Sequence, residues 1–145
     1  PGRFSVLMPG EPSENVQQVQ TDVGDIKFTL YNAGNNKTGF AVGYCDYPQK
    51  LIEAKEPAEL LDGARDGAVE NVKGKLISET ELEIYDYPAR EIKISMGPEG
   101  KASITSRLIL ANNRLYQVMV IEQGDSLSKE KKTEFMDSFE IKELK

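Results

Sequence analysis

The chain has no histidine, no tryptophan and a single cysteine, and it lacks any long apolar run. Each absence removes a class of chemistry. Without His there is no ordinary general base near neutral pH, no His-dependent catalytic triad and no His-containing zinc site. The sequence also lacks a Gly-rich phosphate loop, a nucleophile elbow and an EF-hand loop, so any catalysis would rest on carboxylates or lysines. The expectation is a protein that is not an enzyme, with a carboxylate-based site assembled from distant residues as the remaining catalytic option. Cys45 excludes an internal disulfide. It sits in the apolar stretch "GFAVGYCDY" with no neighbouring base to stabilise a thiolate, which reads as a small buried hydrophobe. The longest apolar candidate, Leu115 to Ile121, is interrupted by Gln117 and falls far short of the ~18 residues of a membrane-crossing helix.

Positive charge is also in short supply, with 18 Lys and Arg against 24 Asp and Glu and a formal net charge of -6. Such a field repels polyphosphates, so nucleic acid is not an expected partner. The composition, 39% hydrophobic and 29% charged, is that of an ordinary folded domain. The 145 residues suit one domain, 1–145, which at this size buries roughly 70% of the surface of its unfolded chain. A sequence opening on Pro1 without an initiator Met or an apolar leader fits an excised or processed part of a longer precursor.

Periodicity supplies the architecture. "RFSVLM" reads as a strand stopped by "PGEP". "NVQQVQT" and "DIKFTLYN" read as a hairpin about Asp22 to Gly24, and "AGNNKTG" links the latter to the apolar run Phe40 to Tyr44. Leu61, Ala64, Ala68 and Val72 recur at helical spacing, predicting a helix over Pro57 to Lys73 with Gly74 at its C-cap. In that helix Gly63 and Gly67 are expected to form a flat strip against the sheet. "KASITSRLILANNRLYQVMVIEQ" is a hairpin about Asn112-Asn113. It sets Ile104, Leu108, Leu110, Leu115, Met119 and Ile121 on one face and Ile109, Tyr116, Val118 and Val120 on the other. A hairpin apolar on two sides must be covered on two sides. A second helix capped by Ser126 or Ser128, with Leu127, Phe135, Met136 and Phe139 on its apolar side, supplies the further layer. The fold class expected is α+β, an α/β/α sandwich with a central antiparallel sheet and a major helix on each face.

Three groups of residues are candidates for function. Glu59, Asp62, Asp66 and Glu70 form an acidic stripe on the first helix, expected to be a solvated face because a straight stripe cannot wrap a hard cation. Glu79, Glu81 and Glu83 lie on one side of the strand "SETELEIY" and read as an exposed edge, with these carboxylates the candidate metal ligands. Six tyrosines outnumber the phenylalanines. Strands favour Tyr for packing, and Tyr with Arg is also the composition of protein-recognition surfaces. Two "DYP" segments mark sheet boundaries, since Pro forces Tyr47 and Tyr87 into extended geometry and removes a ladder donor.

Together, "RFSVLMPGEP", "YPAREIKI", "NRLYQV" and "FMDSF" resemble the PsbP-like family, whose fold is shared with the Ran-binding Mog proteins and the DcrB-like bacterial proteins. Relatives often carry Y-P-G-R-E where this chain has Tyr87-Pro88-Ala89-Arg90-Glu91. The replacement of that Gly by Ala89 implies a backbone with no need of positive φ. The resemblance implies an α/β/α sandwich that binds other proteins, among PsbP relatives at the lumenal side of photosystem II, and among wider relatives as secreted proteins or lipoproteins of unknown role. PsbP metal sites involve His, so none carries over.

The function expected is thus a non-catalytic, exported accessory or protein-binding domain of the periplasm, cell surface or thylakoid lumen, lipid-anchored or soluble. It is expected to be monomeric, to need no cofactor, and to bind another protein, such as a subunit of a membrane complex, through Tyr47, Tyr85, Tyr87, Arg90 and Arg107. The alternative is a small-ligand or divalent-cation carrier holding Ca²⁺ or Mn²⁺ on its carboxylates.

Overall fold

A computed structural model describes residues 4–5, 13–21, 24–34, 38–84, 86–97, 101–123 and 129–141. Its sheet grows from two antiparallel meanders. The first is β2 (Ser13–Thr21), β3 (Gly24–Gly34) and β4 (Thr38–Asp46); the second is β5 (Lys75–Ile84), β6 (Tyr87–Met96), β7 (Ala102–Ala111) and β8 (Arg114–Gln123). Between them the chain crosses through α1 (Gln49–Ala54) and α2 (Pro57–Asn71), so that β8 returns to pair with β4 and the sheet order is β2-β3-β4-β8-β7-β6-β5. A two-stranded sheet joins β1 (Phe4–Ser5) to β9 (Glu140–Ile141), which follows α3 (Lys129–Asp137).

The hairpin about Asn112-Asn113 forms in the expected register, with Ile109 opposite Tyr116 and Leu110 opposite Leu115. Asn112 takes φ 58°, a left-handed conformation that Asn tolerates because its short side chain bonds locally. Alternate residues of this hairpin enter two separate apolar clusters. Ile104, Leu108, Leu110 and Leu115 join Leu60 and Leu61 of α2, with Ile26, Ile92 and Ile94 of β3 and β6. Ile109, Tyr116, Val118 and Val120 join Phe135 and Met136 of α3, with Phe139, Phe40 and Val42. Phe135 meets Phe40 edge to face at 4.9 Å, and Phe139 meets Tyr116 likewise at 5.3 Å, geometries that align ring edge with ring face.

The long helix ends earlier than its periodicity suggests. The Gly74 N–H donates to the Val69 carbonyl and the Lys73 N–H to the Glu70 carbonyl, a Schellman pair that closes the last turn. The left-handed residue in that motif is Lys73, at φ 52°. Gly74 serves another purpose: a Cβ there would stand 2.7 Å from the Ser95 carbonyl oxygen of β6, so Gly is what lets the chain pass from helix to sheet edge. The two glycines inside the helix also differ from expectation. Gly63 and Gly67 are exposed and a Cβ on either would meet nothing within 4 Å, whereas Leu60, Leu61, Ala64 and Ala68 face the sheet. Short α1 was not signalled by any periodicity. The proposed caps Ser126 and Ser128, Leu127, most of "RFSVLMPGEP" and the turn residue Asp22 lie outside the described residues.

Because Gly63 and Gly67 contribute helix-breaking entropy without a packing return, Gly63→Ala and Gly67→Ala are each expected to stabilise the domain by roughly 0.5–1 kcal/mol. Gly74→Ala is expected to destabilise it. Urea unfolding of the three variants checks both signs, and a loss of stability in the first two would show that the helix packs through its glycines after all.

Candidate functional site

Two of the residues expected to form a partner surface, Arg90 and Arg107, are engaged in contacts between helices and sheet. Arg90 is 5% exposed on β6, beneath α2. Its Nη1 donates to Asp62 Oδ1 of α2 and to Glu79 Oε2 of β5 at 3.1 Å, and its Nη2 donates to the Ala58 carbonyl at 3.2 Å. Arg65 reaches the same Glu79 from α2, with Nη1 2.9 Å from Oε1. Two carboxylates and two guanidiniums thus interlock α2 with the sheet edge. Burial opposes the charge on Arg90, but the hydrogen bond and charge of Asp62, with Glu79 behind it, raise its pKa on balance. The same hydrogen bond holds the Asp62 carboxyl below the usual carboxylate range.

Arg107 does for α3 what Arg90 does for α2. Its Nε donates to Glu91 Oε1 at 3.0 Å and its Nη1 to Asp137 Oδ1 of α3 at 2.7 Å. Buried Glu122 of β8 adds a second tie, accepting from Lys132 Nζ at 2.7 Å. Arg90 and Arg107 stand on adjacent strands beside each other's partners, Arg90 opposite Leu108 and Glu91 opposite Arg107, and alternation points them to opposite faces.

The two DYP segments do share one end of the sheet. The Tyr47 N–H donates to the Asn113 carbonyl at 2.8 Å, and Asn113 Nδ2 donates back to the Tyr47 carbonyl, so the β7–β8 turn fixes this boundary. Tyr87 opens β6 at the same end, two residues before the Ala89 to Ile109 pair. Their rings nevertheless join different clusters, and three strand spacings, about 14 Å, separate their strands. Tyr47 and Tyr87 therefore do not make one surface. Burial raises the Tyr47 hydroxyl pKa, with the nearby Cys45 adding to it. Tyr85 lies outside the described residues.

The three glutamates on β5 are not equivalent. The strand is an edge, as its charge implies. Glu79 is drawn into the arginine interlock, while Glu81 is 84% exposed and stands 4.0 Å from Arg90; Glu83 is exposed. Asp62 leaves the expected solvated stripe for Arg90. Among the described residues no group of three or more His, Cys, Asp or Glu is arranged to hold a metal ion.

The structure assembles a Tyr and Arg constellation that spacing alone does not reveal. Register sets Tyr44 opposite Tyr116 and Asp46 opposite Arg114. The Arg114 guanidinium grips Asp46 with Nε to Oδ1 at 2.6 Å and Nη2 to Oδ2 at 2.8 Å, and lies 4.6 Å from the centre of the Tyr44 ring. The Asp46 hydrogen bond raises the Arg114 pKa, with Tyr116 contributing. Tyr31 of β3 joins the group: partial burial first, then Tyr44 and Glu14, raise its pKa, and it shares a side-chain hydrogen bond with Tyr44. The result is a half-buried group of Tyr31, Tyr44 and Arg114, in which the Tyr116 ring lies 6.4 Å from that of Tyr44 and Asp46 holds the Arg114 guanidinium. Beside it, burial pushes the Cys45 thiol up to about 12, with Asp46 assisting, which keeps it protonated and unreactive at neutral pH. The signals in the sequence were Asp46 of "CDYP" and Arg114 of "NNRLY", but only the β4–β8 register joins them.

No family model matches the chain, and no curated protein shows significant sequence similarity to it. A crystal structure of PA94, a protein of unknown function from Pseudomonas aeruginosa, superposes on 79% of this chain and 84% of its own, at 12% identity and a TM-score of 0.49.

The Asp62–Arg90 contact carries a pH signature. A carboxylate with a depressed folded-state pKa contributes stability above its ordinary value of 3.8, and that contribution disappears as pH falls through the lower folded value. Asp62→Asn is therefore expected to flatten part of the acid limb of the stability profile below about pH 4. Thermal midpoints of both proteins between neutral and acid pH check this, and parallel profiles would mean that the contact contributes nothing.

Proposed function

We propose that this chain is an exported, non-catalytic accessory domain of α/β/α architecture that works by binding another protein. The sandwich reading is supported by the two apolar clusters, one containing α2 and the other α3, that take alternate residues of the same central hairpin. The protein-binding reading rests on one observation, the group of Tyr31, Tyr44 and Arg114. Large, rigid, amphipathic rings with a stacked guanidinium lose little entropy on contact and are over-represented among residues that dominate interfaces. The partner surface is thus assigned to these residues, with Arg90 and Arg107 serving as helix anchors.

The sequence resemblance to PsbP-like proteins supports an exported location, in the periplasm, at the cell surface or in the thylakoid lumen, and a role beside a membrane complex such as photosystem II or as a lipoprotein. The divalent-cation alternative has less support, because Glu79 is committed to Arg65 and Arg90.

A photo-crosslinking residue at Tyr31, with one at exposed Glu53 of α1 as control, tests the surface in the producing cell. One protein captured from position 31 and absent from position 53 is the expected result. Capture of the same protein from both positions, or of none from position 31, would overturn it. For the alternative, titration with Ca²⁺ and Mn²⁺ is expected to leave the amide resonances of Glu79, Glu81 and Glu83 without a saturable shift. A saturable shift there would favour the carrier.

A further inference from the structure

The two edges of the main sheet are β5 and β2, and they differ in how they treat an approaching strand. On β5 the register with β6 shifts between Leu76 and Ser78, and Glu79, Glu81 and Glu83 add charge along the strand. Irregularity and edge charge are devices that turn away another strand. Strand β2, "SENVQQVQT", has neither. It pairs with β3 over all nine residues without a register shift, contains no Pro or Gly, and has Glu14 as its one charge. Val16 is 47% exposed, and among the described residues no strand pairs with the outer side of β2.

We propose that β2 is a self-association edge, at which a second copy of this chain adds its own β2 antiparallel and joins the two sheets into one. The occupant follows from the self-complementarity of the strand. A two-fold axis through Gln17 uses the whole strand, setting Ser13 opposite Thr21 of the second copy, Glu14 opposite Gln20, Asn15 opposite Val19, Val16 opposite Gln18, and Gln17 opposite itself. No like charges meet. Glu14, the one carboxylate, faces a neutral amide, whereas β5 paired with itself would bring its glutamates together. In an antiparallel ladder the outward N–H and C=O groups belong to alternate residues. An axis through one residue pairs positions of the same parity, so outward donors meet outward acceptors. The register of β2 with β3 puts Glu14 opposite Tyr31, so the joined sheet carries the Tyr31 side of both copies on one face. The pairing itself does not depend on the partner-binding reading.

Sedimentation equilibrium decides the stoichiometry. The expected species has twice the 16.1 kDa mass of one chain. It is expected to form below about 100 μM, a weak affinity typical of a small interface, and to strengthen with added salt because each copy is acidic. The V16K/Q18K variant places Lys opposite Lys twice across the axis and is expected to restore the single-chain mass while its circular dichroism is unchanged. The register is tested separately by oxidation. Q17C is expected to form a disulfide-linked dimer, since residue 17 faces itself, while the symmetry mates of N15C are about 13 Å apart along the strand and stay reduced. Buried Cys45 does not compete. A single-chain mass for the wild type at 100 μM or above, a dimer that survives V16K/Q18K, or crosslinking of N15C as readily as Q17C would each overturn the proposal. If V16K/Q18K fails to fold, the Q17C and N15C pair carries the test.

Discussion

The guanidinium of Arg90 holds the architecture at its most vulnerable corner. An edge strand has neighbours on one side only, and β5 must also receive the end of α2 across the three residues Val72, Lys73 and Gly74. Arg90 reaches from β6 to α2 through Asp62 and the Ala58 carbonyl, and to β5 through Glu79. One side chain thereby ties three elements. Its planar fork suits this task where a lysine would not, because several donors leave it in fixed directions and it keeps its charge when buried. The apolar contacts of Leu60 and Leu61 join helix to sheet over the core, and the arginine adds directional hydrogen bonds to Asp62, the Ala58 carbonyl and Glu79 at its margin.

Arg107 repeats the device on the neighbouring strand toward α3, and the two arginines share a local logic. Each is flanked in register by the other's surroundings, and each finds one carboxylate on a strand and another on a helix. Acidic residues that look like a solvated excess in the sequence are therefore partly internal counter-charges. Glu79 and Asp62 are the clearest cases. A net charge of -6 is then a property of the remaining surface, including exposed Glu81 and Glu83, rather than of the contacts between helices and sheet.

The legible part of this fold was the part governed by local period. The Asn112-Asn113 hairpin, with its two apolar faces, could be read because strand alternation and turn chemistry operate over about 20 neighbouring residues. The body of α2 could be read for the same reason, from Leu61, Ala64 and Ala68. What period does not supply is the side on which a glycine falls, and Gly63 and Gly67 lie on the exposed face, not the packed one. Nor does period supply any contact between distant strands. Arg90 and Arg107 looked like surface residues because the carboxylates that receive them, Asp62 and Asp137, are 28 and 30 residues away. Arg114 and Asp46 are separated by 68 residues, and their pairing exists because β8 closes on β4.

That closure has a kinetic meaning. In the finished sheet β4 is an interior strand with Val42 wholly buried, yet its partner on one side is β8, which follows the sheet's other strands in the chain. Until β8 exists, a chain emerging from its N-terminus carries β4 as a bare apolar edge. Contacts between distant segments pay their loop-closure entropy before they return any stabilisation, which makes such pairings slow. A strand interior to the native sheet is therefore open to wrong partners during synthesis. Because β5 to β8 pair with their sequence neighbours, that meander can present a ready template as soon as β8 is made, which limits how long the exposure lasts.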